Sequence, residues 1–364
     1  MDAKQDFYLA ALARCPGLGS RRLGNLLSLC PNAEALWRMP ALEMDRLVRM
    51  PASLIEALTV FRRAEPHLPE QLAESCRQRH VHLCTMLDSC YPYLLKEIFS
   101  PPPVLYYRGS LEPKALRIAM VGSRRLSPYG EALALEFGEQ LAAAGVTVVS
   151  GAARGIDTRS HRGALKTGRT VAVLGCGIDV AYPPENRRLL AEIAEQGAVI
   201  SEYGPGVQPL PAFFPARNRI ISGLSAGTLV VEAAARSGSL ITAEMALNEG
   251  REVYALPGSV FSKTSEGCHH LIQQGARLVT RAGDILKDLG LVEEKRPKKK
   301  LKMTAEEHKV YQVLSFEHPL SADEILMSLP DGEMPNLSFT LLQMELKGLI
   351  IENELHAYRR AERE

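Results

Sequence analysis

The stretch "RIAMVGSRRLSPYGEALALEFGEQLAAAGVTVVSGAARGID", residues 117–157, decides the fold. Its first six residues are an apolar run that ends in Gly122. "YGEALALEFGEQLAAAG" (129–145) then carries apolar residues at helical spacing and stops on a glycine, and "VTVVSG" is a second apolar run. Recurrence every three to four positions marks a helix face, whereas a short unbroken apolar run marks a strand covered on both sides. Strand, helix, strand is the repeating unit of a parallel sheet. The alternation continues through "GIDTRSHRGALKTG", "TVAVLG", "GAVISEY", "AGTLVVEAA", "SLITAEMALNEG", "REVYALPG" and "GARLVT". Residues 117–290 therefore read as an α/β domain with a Rossmann-like, doubly wound, mostly parallel sheet.

Working outward, residues 1–80 read as a helical domain of short amphipathic segments, broken at Pro31, Pro40, Pro51, Pro66 and Pro69. Inside it, "CPGLGSRRLGNLL" (15–27) has the form of a helix-hairpin-helix turn. Gly17 and Gly19 could present amides to a phosphate there, and a purely structural turn fits equally well. Residues 81–116 form an apolar, Tyr- and Pro-rich connector, which places the sheet domain at 81–290. A charged tract within 291–302 reads as a solvated basic linker. Residues 303–364 close the chain with three helical segments, the second opened by Ser321 with Glu324 three residues on, a capping-box pattern, and then a short hairpin. Three helices and a β-wing predict a winged helix.

The totals bound the function. The chain has 364 residues, room for two or three domains, and a formal net charge of +1, so any basic surface must be local. Cysteines at 15, 30, 76, 84, 90, 176 and 268 are odd in number and never spaced Cys-x-x-Cys. That pattern argues against a disulfide framework or a zinc site and fits a reducing cytoplasm. No basic region leading an apolar run opens the chain, and no stretch is apolar long enough to span a bilayer, so no membrane association is expected.

Three glycine-rich loops fall at predicted strand ends, where open α/β sheets bind ligands. The first holds Gly122, Ser123 and Arg124; the second Ser150, Gly151, Arg154 and Gly155; the third, "RSGSLIT", holds Ser237, Gly238 and Ser239. Helix-opening amides beside arginines make anion sites. Ordinary tight turns are the alternative, and the recurrence of arginine at all three favours a groove. "FFPARNR" (213–219) adds Arg217, Asn218 and Arg219, with Phe213 and Phe214 in front of them. Cations hold phosphates and rings stack on unpaired bases, which favours single-stranded nucleic acid over duplex. Both phenylalanines packing in the core is the alternative. "LGCGIDV" (174–180) has Val180 where a dinucleotide fingerprint needs its third glycine, so no NAD or other cofactor is implied. Asp157 and His161 share a helix face but lack a third ligand, so capping and packing outweigh metal binding. Glu232 reads as a general base or as the anchor of an arginine. No hydrolase elbow, Walker loop or kinase signature is present, so no catalytic residue is assigned.

The ordered motifs "VGSRRLSPYG", "SGAARGIDTRSH", "LGCGIDVAYPPEN", "SEYGPGVQPLPAFFPARNRIISGLS", "VVEAAARSGSLITAEMALNEGREVYALPGS" and "SEGCHHLIQQGARLV" resemble the DNA-processing protein A family (DprA, also called Smf). The likeness covers roughly residues 90–280. It implies a cofactor-free, non-enzymatic protein that binds and protects incoming single-stranded DNA and loads the RecA recombinase during natural transformation. It further implies a homodimer through the Rossmann-like domain, an N-terminal sterile-alpha-motif-like helical domain and a C-terminal winged helix. The family's DNA pocket maps onto Arg124, onto Ser150, Gly151, Arg154 and Gly155, and onto Phe214, Pro215, Arg217, Asn218 and Arg219. Pro184 and Pro211 stand where relatives carry basic residues, and Arg187 and Arg188 are the nearby cations that could compensate. Two other classes compete. "SAGTLVVE" is distantly like the loop of nucleotide phosphoribohydrolases, without its Pro-Gly-Gly and with Glu232 one residue late. A duplex-binding regulator would use the winged helix, but its third helix, Asn336 to Lys347, carries only Lys347 as a basic residue.

Overall fold

Each apolar run expected as a strand in 117–290 forms one. The computed structural model describes residues 3–48, 50–291, 303–329, 334–353 and 356–361, in two compact units, Met1–Glu293 and Glu294–Glu364. The expected linker tract 293–302 lies outside the described residues. The first unit holds a nine-stranded sheet. Its strands are β1 (His82–Thr85), β2 (Val104–Gly109), β3 (Arg117–Gly122), β4 (Thr147–Ser150), β5 (Thr170–Leu174), β6 (Ala198–Ser201), β7 (Gly227–Glu232), β8 (Glu252–Ala255) and β9 (Arg277–Leu278). They lie in the order β1-β2-β6-β5-β4-β3-β7-β8-β9. From β6 to β9 every neighbouring pair is parallel.

The order reverses at β3, which pairs with β4 on one side and β7 on the other. That is the topological switch point of a doubly wound sheet, and the crevice at its carboxyl edge is where such folds place ligands. β4, β5, β6 and β7 are buried along their whole length, as their unbroken apolar character requires.

The connector contributes two strands that its sequence does not announce. β2 pairs antiparallel with β6, matching Tyr107 to Ile200, and β1 pairs antiparallel with β2. β1 is four residues long, too short to show alternation, and "SPPP" precedes β2, so the usual strand signals are missing. Helices Ala3–Ala13, Ser20–Leu29, Ala33–Arg38, Ala41–Val48, Ala52–Ala64 and Leu68–Gln78 fill the N-terminal segment. Their Leu9, Leu12, Leu23 and Leu36 share one core with Tyr106, Leu174 and Ile193 of the sheet region. Residue 80 is thus a boundary along the chain and not within the core.

The second unit packs helices Ala305–Val313, Ala322–Ser328 and Leu337–Leu346 around Val310, Leu341 and Met344. Strands β10 (Leu320–Ser321), β11 (Ile350–Glu352) and β12 (Ala357–Arg360) form an antiparallel sheet in the order β10-β12-β11, the winged-helix arrangement. The Ser321 capping box is present: Ser321 N–H donates to Glu324 at 2.8 Å, and Glu324 N–H donates to Ser321 Oγ at 3.3 Å. Among the described residues no helix is long and apolar enough to cross a membrane.

Candidate nucleic-acid interface

β3 ends in Gly122 and turns into Ser123-Arg124-Arg125 before the helix Pro128–Ala143, which Ser127 caps. Ser123 folds its hydroxyl back onto the carbonyl of Arg125 at 2.6 Å, and its N–H donates to the carbonyl of Glu232 at 2.7 Å. The turn is therefore fixed to β7 across the switch point. Arg124 and Arg125 are exposed, and neither has an ion pair among the described residues. Arg125 went unassigned in the sequence, although its place beside Arg124 was the available signal.

The β4 loop packs directly against this turn. Gly155 has φ +80°, and a Cβ there would lie 2.2 Å from the carbonyl oxygen of Ser123 and 2.8 Å from Arg124 Cα. Only glycine fits that approach in that conformation. The loop's own amides are already occupied: Asp157, buried, accepts from Gly151 N–H at 3.1 Å and from Ala153 N–H at 3.3 Å. Burial pushes the Asp157 carboxyl up, partly opposed by Arg217. Ser150 is fully buried and its hydroxyl donates to Met120 O at 2.7 Å. The expected anion nest is thus filled from within, and Ser150 and Gly151 hold the loop together instead of facing a ligand. Arg154 is exposed and pairs with Glu185, whose carboxyl that hydrogen bond pulls below its usual range. Asn186, unnoticed in the sequence, is buried and donates to Ala152 O at 2.9 Å and Thr158 Oγ1 at 2.8 Å, tying the β4 loop to the segment after β5.

"FFPARNR" forms the first two turns of the helix Phe213–Gly223. Arg217 corrects the sequence reading. It is only 5% exposed, donates to Val173 O at 2.6 Å, and lies so close under Gly151 that a Cβ there would meet its Nη1 at 1.9 Å. It is an internal strut between β5 and the β4 loop, with little surface left for a phosphate. Arg219 is half-buried and donates to both oxygens of Glu202, at 2.5 and 2.6 Å. Asn218 is half-buried beside it. The two phenylalanines are neither core nor free. Phe213 stacks on Tyr203 at 4.1 Å, and Phe214 lies 5.3 Å from the exposed Tyr182 and over Gly175. Tyr182 and Tyr203 are the aromatic partners that motif reading missed. Of the compensating cations, Arg188 pairs with Glu192 at 3.1 Å, while Arg187 is exposed with no ion pair among the described residues. Pro184 opens the short turn Pro184–Asn186 and Pro211 is exposed.

At the third loop, Ser237 caps the helix Gly238–Asn248, its Oγ bridging to Ser239 Oγ at 2.7 Å. Gly238 and Arg236 are exposed, and Ser239 is nearly buried. Glu232 is 2% exposed, and both of its oxygens are engaged: Ser127 N–H donates to one at 3.0 Å and Thr264 Oγ1 to the other at 2.5 Å. It anchors two loops, not an arginine, and is not placed to act as a base. His161 is fully buried and shares its Nδ1 proton with Thr170 Oγ1 at 2.7 Å, Thr170 itself donating to Val148 O. Burial drives its pKa down to about 3, so the ring is neutral and packs as part of the core. Away from these loops, Cys84, Asp88 and Cys90 bring their donor atoms within 4.8 Å of one another, a proximity that spacing alone did not suggest. In the winged helix, Lys347 is held by Glu307 at 2.6 Å, and the third helix exposes Phe339, Leu342 and Leu346. That face lacks the cations of a major-groove reader.

The fold and site are those of a Rossmann-like protein with exposed arginines and paired aromatic rings along the carboxyl edge of its sheet. The chain belongs to the DNA recombination-mediator protein A family, whose sequence model matches residues 82–290. It is 52% identical over 204 residues to the DNA processing protein DprA of Streptococcus pneumoniae, spanning 56% of this chain and 72% of that one. The X-ray structure of DNA processing protein A from Streptococcus pneumoniae superposes with a TM-score of 0.65 at 39% identity, over 79% of this chain and 98% of that one. The Helicobacter pylori protein, solved for its single-stranded DNA binding mode, gives a TM-score of 0.53 at 29% identity, over 58% of this chain and 96% of that one.

Proposed function

We propose that this protein binds single-stranded DNA along the carboxyl edge of its sheet, protects it, and loads the RecA recombinase onto it during natural transformation. The observation that carries the reading is the turn after β3. Arg124 and Arg125 are exposed and without ion pairs among the described residues, on a backbone fixed to both β7 and the β4 loop. Arg154 and Arg219 are held in ion pairs with Glu185 and Glu202, and an exposed pair such as Arg154–Glu185 contributes little, so a phosphate can take the carboxylate's place there. Phe214 with Tyr182 supplies a ring platform for unpaired bases. The loops carry no catalytic step, and the protein acts as a homodimer through its Rossmann-like domain in the cytoplasm.

Fluorescence anisotropy with labelled oligothymidine and a duplex of equal length, over a salt series, tests it. Single-strand affinity well above duplex is expected, with a log–log salt slope of roughly −2 to −4 for about three to six phosphates. Duplex-favoured binding refutes the groove assignment.

A further inference from the structure

A cavity of about 400 Å³ lies beyond β6, between the helix Ala3–Ala13 and the loop that follows Ser201. Arg14, Tyr106, Glu202, Tyr203 and Val207 line it. Tyr106 is 2% exposed, and what remains open includes its hydroxyl, to which no described residue hydrogen-bonds. That hydroxyl opens to the cavity, so it offers a polar edge that a bound group can meet in place of solvent. Arg14 is exposed at the rim with no ion pair among the described residues. The carboxylate of Glu202 is neutralised by Arg219, so the wall does not select a cation. What remains suits a flat, uncharged ring with one polar edge and an anion beside it.

The position links this cavity to the proposed groove. β6 is the next strand after β5, β4 and β3 in the sheet. At roughly 4.8 Å per strand the carboxyl ends of these four span about 14 Å, a run of a few nucleotides. Tyr203, one wall of the cavity, is stacked on Phe213, whose neighbour Phe214 covers Gly175 at the end of β5. A strand laid across these ends arrives at the cavity mouth.

Resting on the single-stranded DNA reading, we infer that the cavity receives one unstacked base of the bound strand. The Tyr106 hydroxyl meets the base edge, Tyr203 its face and Arg14 a flanking phosphate. The test uses the full chain and oligothymidines carrying a single abasic site at successive positions, read by anisotropy. In the wild type, one abasic position lowers affinity about tenfold, the amount expected for one stacked base. Val207→Trp, which fills the cavity, lowers affinity for the intact oligomer by a similar factor and abolishes the penalty at that position. Tyr106→Phe removes only the unpartnered hydroxyl and reduces that penalty, deciding the matter if Val207→Trp does not fold. Intact-oligomer affinity and abasic profiles unchanged in both variants, with Arg124→Ala still weakening binding, overturn the cavity alone. An unchanged Arg124→Ala as well overturns the DNA reading beneath it.

Discussion

Arg124 and Arg217 are indistinguishable as letters in a basic motif, and the structure exposes one and buries the other. Arg217→Met therefore serves as the sharpest test. Methionine keeps the apolar bulk but removes the donor to Val173 O and the positive charge that partly offsets the burial of Asp157. A lost charged hydrogen bond inside a protein costs about 1.5–3 kcal/mol, and a buried carboxylate left without its cation raises the loss to about 3–5 kcal/mol. One buried Nε of Arg217 already lacks a partner, which places the expectation at the lower end, about 3 kcal/mol. For a unit spanning Met1–Glu293, at about 2.1 cal/mol/K per residue, that lowers Tm by roughly 5 °C. Arg124→Ala touches no packed group and should leave Tm within about 2 °C. Its effect belongs to DNA: about tenfold weaker oligothymidine binding across all sequences, and a salt slope shallower by about 0.7. Calorimetry and anisotropy on both variants separate the roles. An Arg217→Met protein as stable as the wild type, with weakened DNA binding, refutes the internal placement and the reasoning from burial.

Gly155→Ala should cost more than about 2 kcal/mol, because φ is +80° and the new methyl would sit 2.2 Å from Ser123 O; a melting temperature within about 1 °C of wild type contradicts this. Stability should also depend on His161, whose pKa falls from 6.5 to about 3 on burial. Between those values the unfolded chain binds a proton that the folded chain refuses, so stability is full above the unfolded value and falls as pH drops. Down to about pH 5 the loss is about 2 kcal/mol at 1.36 kcal/mol per unit. Asp157, raised by burial, titrates in the opposite sense, so the comparison is with His161→Gln, in which urea melts should lose this steepness; equal slopes in the two proteins refute it.

The parallel strands were legible because burial on both faces leaves a signature in a single run of residues. β1 and β2 were not, because an antiparallel edge pair at the end of a parallel sheet has no such run and prolines interrupt its approach. The site was legible as a set of loops, less so as a set of roles. Arg217 stands three residues before Ile220 and four before Ile221, both buried, so it lies on the inner stripe of its helix. That periodic signal was present in "FFPARNRII" and was outweighed by the residue's charge. The ring partners Tyr182 and Tyr203 come from other loops, and no local pattern connects them to Phe214 and Phe213.

Internal carboxylates occupy the places where this fold usually meets a nucleotide phosphate. Asp157 takes the amides of the β4 loop, Glu232 takes Ser127 N–H at the start of the first crossover helix, and Asp179 takes Gly206 N–H at 2.8 Å. Loop amides and, at Ser127, the positive end of a helix each favour an anion, and here that anion belongs to the protein. A mononucleotide cofactor would have to displace a buried or loop-fixing acid to use them. A polymer need not: its phosphates can be met further out by long side chains such as Arg124, Arg125 and Arg187, while its bases reach the paired rings. Side-chain contacts of that kind read charge and spacing and not sequence. The arrangement therefore favours binding that tolerates any base order and weakens steeply with salt, and disfavours a discrete nucleotide site at the switch point.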